Sequence, residues 1–341
     1  MEGLSTKSKL HSRLSTFVAW IAPDPQTRDE IEAQADEIRG RIMEKAAKDG
    51  LEITSSMKSG SFAKRTGLRR HMRGNAEVEG QDVDISFVVK PQGEQSFELQ
   101  PLVNKFMKYA DESYPKTEKE STKSSVKLKF TNTLAYDLVP LFSTKEPEKQ
   151  MLVRATGERI LTSVQKHTDF VKSRTEESDK KKGVVLFNEC VRIVKWWREF
   201  RCDEGNYLQE IPSIVIDLLC AKAFDQLSVK PTYAHTLAEW FTFLAHVVKK
   251  KEPVWFGKSK PNSTVVSTDS WQLLDPVNPE NNIAKRFKPF EIDEFAEWLA
   301  IGRDTLSRSI AADMTGDDNR CLDQLVSLMG NPFKNHCDEE A

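Results

Sequence analysis

The stretch Gln81-Asp82-Val83-Asp84-Ile85-Ser86-Phe87-Val88-Val89 (QDVDISFVV) begins by alternating polar and apolar residues with a period of two, the pattern of a half-buried strand. In that conformation Asp82, Asp84 and Ser86 line one face while Val83, Ile85 and Phe87 line the other, so two carboxylates project together over an apolar underside. A second run, Leu134–Val139 (LAYDLV), buries Leu134, Tyr136 and Leu138 and turns Asp137 to the opposite side. If the two strands are neighbours, three anions meet, and their mutual repulsion calls for cations to neutralise them. Hard oxygen ligands select Mg2+ or Mn2+ over softer metals. Two such ions, roughly 3.5–4 Å apart, would clamp the attacking and leaving oxygens of an in-line phosphoryl displacement.

A phosphate-bearing substrate needs a seat, and Met57-Lys58-Ser59-Gly60-Ser61-Phe62 supplies one just upstream. Gly60 lets the backbone approach a ligand closely, the amides of a following helical turn can point at anionic oxygens, and Ser61 adds a hydroxyl donor. Between this element and Asp82 lies Arg70–Gly80 (RHMRGNAEVEG), polar and punctuated by glycine, which reads as a loop that can bulge outward without moving the strand. Lys64, Arg65, Arg69, Arg70 and Arg73 cluster on its approach. They suit either a solvated loop or contact with triphosphate or nucleic acid.

Gly60-Ser61, then Asp82-Val83-Asp84, then a single Asp137, in that order, resemble the signature of the DNA polymerase β-type nucleotidyltransferases. Within that superfamily the chain most resembles the bacterial cGAS/DncV-like nucleotidyltransferases, or CD-NTases, which are cyclic-oligonucleotide synthases of anti-phage defence. Three further segments carry the likeness: Val191–Arg198 (VRIVKWWR), Ile211–Ile214 (IPSI) and Leu274–Asn282 (LDPVNPENN), so that it spans most of residues 55–285. The resemblance implies an α+β fold, with a polymerase β-type core of mixed sheet and flanking helices, and a helical second lobe joined to it by a long N-terminal helix. It implies ribonucleoside triphosphates, ATP among them, as substrates. It also implies two Mg2+ or Mn2+ ions on Asp82, Asp84 and Asp137, and a cyclic di- or trinucleotide bound by a separate effector. By the same resemblance Lys195 and Ser213 reach the triphosphate together with Gly60 and Ser61, and Asp275, with Asn281 and Asn282, orients ribose or base. Ile214 stands where related enzymes often stack the base on an aromatic residue, which leaves Tyr207 or aliphatic packing for that role. Some family members are conjugated through a small-residue C-terminus by a ubiquitin-transfer-like partner, a role Ala341 could take in a mobile tail at 331–341.

Composition narrows the class independently. With 341 residues, 38% hydrophobic content and a formal charge of −2, the chain can bury a large core in two lobes, expected at 1–150 and 151–330, and lacks the overall basicity of an obligate nucleic-acid binder. Cys190, Cys202, Cys220, Cys321 and Cys337 are odd in number and have no metal-ligand spacing, so they read as reduced thiols. No apolar run approaches the roughly 20 residues of a membrane span, and no signal-peptide core is evident, so a soluble cytoplasmic protein is expected, a bacterial one by the resemblance.

Periodicity predicts helices at Ser8–Trp20, from a capping box at Thr27–Glu30 to Gly50, and at Leu99–Ala110; Pro23-Asp24-Pro25 breaks the first two apart. Strands are expected at Glu52–Ser56, Val83–Val89, Val126–Phe130 and Leu134–Val139, the last two joined by a turn at Thr131-Asn132-Thr133. After a charged boundary at Thr144–Gln150, helices are expected at Glu158–Thr175, Val184–Arg201, Pro212–Phe224, Ala234–Val248, Glu291–Arg308 and Asp317–Leu328. Lys195 is expected at the edge of a helical stripe formed by Val184, Phe187, Val191 and Val194, and the adjacent Trp196 and Trp197 cannot share one side of it. Two other functions fit parts of the pattern. One is a transferase of the same chemistry acting on tRNA ends or a small-molecule acceptor. The other is a catalytically dead sensor, which the presence of all three acids opposes.

Overall fold

The computed structural model describes residues 8–73, 76–91, 93, 97–131, 134–180, 184–202, 208, 211–257 and 269–338. In chain order the elements are α1 (Lys9–Ile21), α2 (Pro25–Lys48), β1 (Ile53–Ser59), α3 (Gly60–Ala63), β2 (Arg70–Arg73), β3 (Ala76–Glu79), β4 (Gln81–Val89) and α4 (Leu99–Ser113). There follow β5 (Glu118–Ser121), β6 (Val126–Thr131), β7 (Leu134–Ser143), β8 (Gln150–Val153), β9 (Arg159–Thr162) and α5 (Val164–Lys180). The chain then continues helically through α6 (Phe187–Cys202), α7 (Ser213–Leu227), α8 (Tyr233–Lys249), α9 (Pro289–Met314), α10 (Asp318–Met329) and α11 (Asn331–His336).

These elements form two compact units whose boundaries differ from the expected 1–150 and 151–330. A sheet unit comprises Pro23–Arg69 and Glu79–Asp169; a helical unit comprises Met1–Ala22, Arg70–Val78 and Phe170–Ala341. The charged stretch at Thr144–Gln150 is therefore no boundary. It leads from β7 into β8, and the segment expected to start a helix at Glu158 first forms β9 against β8.

In the sheet unit the strands run in the order β1-β4-β7-β6-β5, with β8 and β9 extending from the end of β7. β4 and β7 are parallel neighbours, and the other pairs are antiparallel. Val83, Ile85, Phe87 and Val89 of β4 are buried together with Val126, Leu128, Tyr136 and Leu138, and Ile31, Ala35, Ile38, Ile42 and Ala46 of α2 complete this core at helical spacing. With Val83, Ile85, Tyr136 and Leu138 committed to this core, strand alternation holds Asp82, Asp84 and Asp137 on the opposite face, which is itself covered farther along β4 at Ser86 and Val88. β7 continues past the expected end at Val139 although Pro140 cannot donate a ladder bond. β6 has ended opposite Leu138 and β8 begins opposite Phe142, so Pro140 falls in the gap between them.

The second helix begins earlier than the Thr27–Glu30 box. Asp24 is its N-cap, Pro25 occupies the first turn, and the Asp24 carboxylate accepts from the Thr27 amide at 3.0 Å and hydroxyl at 2.6 Å. Arg70–Gly80 is not a simple loop: β2 and β3 pair as a two-stranded ribbon, and β2 packs on α6 within the helical unit.

α6 is buried on all sides, which resolves the Trp196–Trp197 conflict. Trp196 meets Phe17 and Trp20 and donates its Nε1–H to the Met329 carbonyl at 2.9 Å, while Trp197 packs edge-on to Phe241. Val184 precedes this helix and is exposed, so it is not part of the stripe. The expected tail is also docked as far as Asp338. Phe333 and Cys337 are buried, the His336 ring stacks on Trp20 at 4.0 Å, and the buried Arg13 guanidinium holds Asp318 at 2.7 Å and Asp338 at 2.9 Å. Trp20 also meets the Arg70 guanidinium, 4.6 Å from the ring centroid. Ala341 lies outside the described residues, as do Asn132 and Thr133 of the expected turn. The five cysteines are free, and no helix among the described residues is long and apolar enough to cross a membrane.

Candidate active site

Strand register assembles the acidic face. Asp84 of β4 is the direct partner of Asp137 on β7, which sets their Cα atoms about 4.8 Å apart, with Asp82 one pleat repeat, about 6.6 Å, along the same face. The row continues sideways on both flanks. Ser59 of β1 pairs with Asp84, and Lys127 of β6 pairs with Asp137.

The three carboxylates are not equivalent. Asp82 is mostly exposed and accepts from the Lys127 ammonium at 3.2 Å. Asp137 is largely buried, accepts from the Ser125 hydroxyl at 3.1 Å, and has Lys127 Nζ 3.5 Å from its other oxygen. Burial, and after it the charges of Asp137 and Asp82, push the Asp84 carboxyl up to about 6, against the opposing charges of Lys64 and Lys127. Burial raises Asp137 as well, with Lys127 and Ser125 opposing. Burial draws the Lys127 ammonium down, but Asp137 and Asp82 outweigh it and leave it raised. The cluster is thus short of positive charge, as a site built for added cations should be.

Among the described residues no group of three His, Cys, Asp or Glu side chains is gathered tightly enough to hold a metal ion. In donor type and in facing, the aspartates nevertheless fit hard divalent cations. The position between Asp82 and Asp137 is taken by the Lys127 ammonium, 3.2 and 3.5 Å from their oxygens.

Gly60 follows β1 directly and adopts φ +66°, and a Cβ on it would lie 1.7 Å from Asp84 Oδ2. Its first role is therefore to let the turn pass against the Asp84 carboxylate. Ser61 follows in the short α3; the preceding Ser59 shares a hydroxyl–hydroxyl hydrogen bond with Ser86 at 2.8 Å, and its side chain accepts from none of the helix amides.

The residues assigned by resemblance lie in the helical unit. Lys195 is not at the edge of a stripe: it is 2% exposed, with Nζ 2.7 Å from Asp217 Oδ1 of α7. Ser213 opens α7 immediately after Pro212 and is half-buried, followed by Ile214. Asp275 is buried and orders its own turn, accepting from the amides of Val277 at 2.8 Å and Asn278 at 3.3 Å and from the Asn281 side chain at 3.1 Å. Asn282 likewise bridges Asp269 and the Trp271 carbonyl. This is the Asx-turn geometry of a structural loop. Tyr207 lies outside the described residues. Lys127 and Ser125 were not singled out by the sequence, although the V-K-L-K-F alternation of β6 places Lys127 opposite to the core face.

Comparison with known proteins accords with this geometry. Residues 9–174 match the family described as Second Messenger Oligonucleotide or Dinucleotide Synthetase domain. The chain is 24% identical over 320 residues to the cyclic AMP-AMP-AMP synthase of Escherichia coli MS 115-1, covering 91% of this chain and 94% of that protein. Its fold matches the structure of E. coli MS115-1 CdnC with ATP at a TM-score of 0.76 and 21% identity, over 95% of this chain and 98% of the other. It also matches CdnC in the CdnC:HORMA-deltaN complex at 0.75 and 22%, over 96% and 99%. A domain match that contains the acidic face, joined to likeness along nearly the whole chain, places this protein in the bacterial cGAS/DncV-like nucleotidyltransferases, the CD-NTases.

Proposed function

We propose that this chain joins ribonucleoside triphosphates, ATP among them, into a cyclic di- or trinucleotide with release of pyrophosphate, and that Asp82, Asp84 and Asp137 hold two Mg2+ or Mn2+ ions for the transfer. The observation that carries this reading is the register of β4 and β7, which pairs Asp84 with Asp137 and keeps Asp82 on the same face, with Gly60 against the Asp84 carboxylate. The ions, when bound, supply the positive charge that activates a ribose hydroxyl and stabilises the phosphates during displacement. The chain's own residues do the positioning. Ser125 orients Asp137 through its 3.1 Å hydrogen bond, and Gly60 clears space for the Asp84 carboxylate. Ser61, with the amides beside it, binds the triphosphate oxygens. Lys195 and Ser213 of the helical unit are assigned to nucleotide binding on family likeness alone, and Asp275 acts through the order of its loop.

The name of the E. coli relative, a cyclic AMP-AMP-AMP synthase, supports a ring built at least partly from ATP. The CdnC:HORMA-deltaN complex supports a regulatory protein partner. The product would act on a separate effector in anti-phage defence, within the bacterial cytoplasm.

The test is incubation of pure protein, with and without such a partner, with Mg2+ or Mn2+ and the four ribonucleoside triphosphates, followed by mass analysis of phosphatase-resistant products. A cyclic oligonucleotide that disappears in the Asp82→Asn, Asp84→Asn double variant is the expected result. Label found only on an added tRNA or small-molecule acceptor would overturn it.

A further inference from the structure

Five strands contribute one lateral row to the acidic face. From β1 to β5 the paired positions are Ser59, Asp84, Asp137, Lys127 and Glu120. Lys127 is the cation of that row, and its ammonium leans toward β4 to bridge Asp137 and, diagonally, Asp82, at 3.5 and 3.2 Å. A bridging position between two carboxylates is also where a divalent ion shared by them must sit. Both cations cannot occupy it, because like charges within about 4 Å repel by several kcal/mol at a partly buried site.

The other side of the row offers the lysine somewhere to go. Glu120, directly opposite Lys127 on β5, is exposed and already accepts from Lys129 at 3.1 Å. It presents a carboxylate on the same face, away from Asp82 and Asp137. The four-carbon stem of lysine is long and rotatable enough to exchange one side of the row for the other.

We propose that Lys127 is a tethered counter-ion of the metal-free enzyme, which holds Asp82 and Asp137 apart from a ligand arrangement and leaves toward Glu120 when a divalent cation binds. It is a positioning residue that sets how much free metal the enzyme requires. The proposal rests on the reading of Asp82, Asp84 and Asp137 as metal ligands, and it accounts for the lack of a preassembled ligand set in an otherwise suitable acid cluster.

The experiment titrates the full-length protein with Mn2+ alone, following free Mn2+ by electron paramagnetic resonance, for the wild type, Lys127→Gln, Lys127→Arg and the Asp82→Asn, Asp84→Asn double variant. Unfolding in chelator is measured on the same set. Lys127→Gln is expected to bind Mn2+ about tenfold more tightly, the effect of removing one competing charge from a partly screened site. The same variant should be less stable than wild type in chelator, and Lys127→Arg should stay within about threefold of wild type in affinity. A purely structural lysine would lower affinity and stability together, and that result overturns the proposal. Unchanged Mn2+ affinity with a raised KM for nucleotide also overturns it, since Lys127 would then serve the triphosphate. In both of those cases, wild-type binding that the double variant loses leaves the reading of the acids standing. A wild type that binds no Mn2+ removes that reading and the proposal with it.

Discussion

Replacing Asp84 by Asn should stabilise the metal-free protein while abolishing its chemistry, and the size of the gain follows from the site. Burial and the charges of Asp137 and Asp82 raise the Asp84 carboxyl to about 6, from an ordinary value of 3.8. A difference of about two units corresponds to about 3 kcal/mol of native-state destabilisation once the group is ionised. The sign is fixed by proton binding: between those two values the native state holds the proton that the unfolded chain has lost, so wild-type stability falls as pH rises through this interval. Asn carries no charge at any pH. Asp84→Asn should therefore exceed wild type by about 3 kcal/mol at about pH 8 in chelator and by less than about 1 kcal/mol at about pH 4. Urea unfolding at both pH values measures the two differences directly, with contributions from unperturbed carboxylates cancelling between the proteins. Saturating Mn2+ supplies a second check, because an ion present at about a hundred times its dissociation constant adds about 2.7 kcal/mol to the protein that binds it. The wild type should recover most of its deficit and the variant should not. Equal stability of the two proteins at pH 8 in chelator, or a gap that persists undiminished at pH 4, would refute the claim that an unneutralised charge at Asp84 is what the fold tolerates for the sake of catalysis.

Two further outcomes test other contacts. Gly60→Ala combines a left-handed backbone with a Cβ placed against Asp84; pyrophosphate release should fall roughly 100-fold, as for an ångström-scale displacement of a reacting group, with a stability loss of about 1–2 kcal/mol in urea. Lys195→Met strands the buried Asp217 carboxylate and should cost about 3–5 kcal/mol by the same measurement, whereas Lys195→Met with Asp217→Leu should recover most of that loss; failure of the double variant to recover would assign the pair a packing role beyond its charges.

The parts of this fold that were legible in the sequence are those where one local rule decides. Alternation in Gln81–Val89 fixes which side of β4 is buried, and the helical spacing of Ile31, Ala35, Ile38 and Ile42 fixes the buried face of α2. Where two rules compete, the sequence reads less clearly. Pro140 argues for a strand end, yet β7 runs on because no strand pairs at that point on one side. Polar, glycine-bearing Arg70–Gly80 argues for a loop, yet β2 and β3 pair with each other, β2 packs on the much later α6, and Arg70 meets Trp20 of α1. Asp24-Pro25 argues for a break, and it is one, but the same two residues also cap and start the next helix. The docked C-terminal segment depends on Arg13, more than 300 residues away, and local composition carries no trace of such a contact.

Lys127 shows most sharply why a site can be half visible. Thr131, the last residue of β6, and Leu134, the first of β7, are a register pair, and counting back from them without interruption would set Leu128 opposite Asp137. That register conflicts with the side-chain alternation, since Leu128 belongs to the core face and Asp137 to the acidic one. The observed strands resolve the conflict with a one-residue shift between Lys129 and Thr131, which brings Lys127 opposite Asp137 and puts both strands back in phase. The core therefore selects the neighbour of the third aspartate: burying Val126 and Leu128 leaves only a lysine to face it. The β6–β7 pair read from its Thr131–Leu134 end alone yields an acidic site with no counter-charge, and the same pair read from its buried face yields the cation that the three acids require.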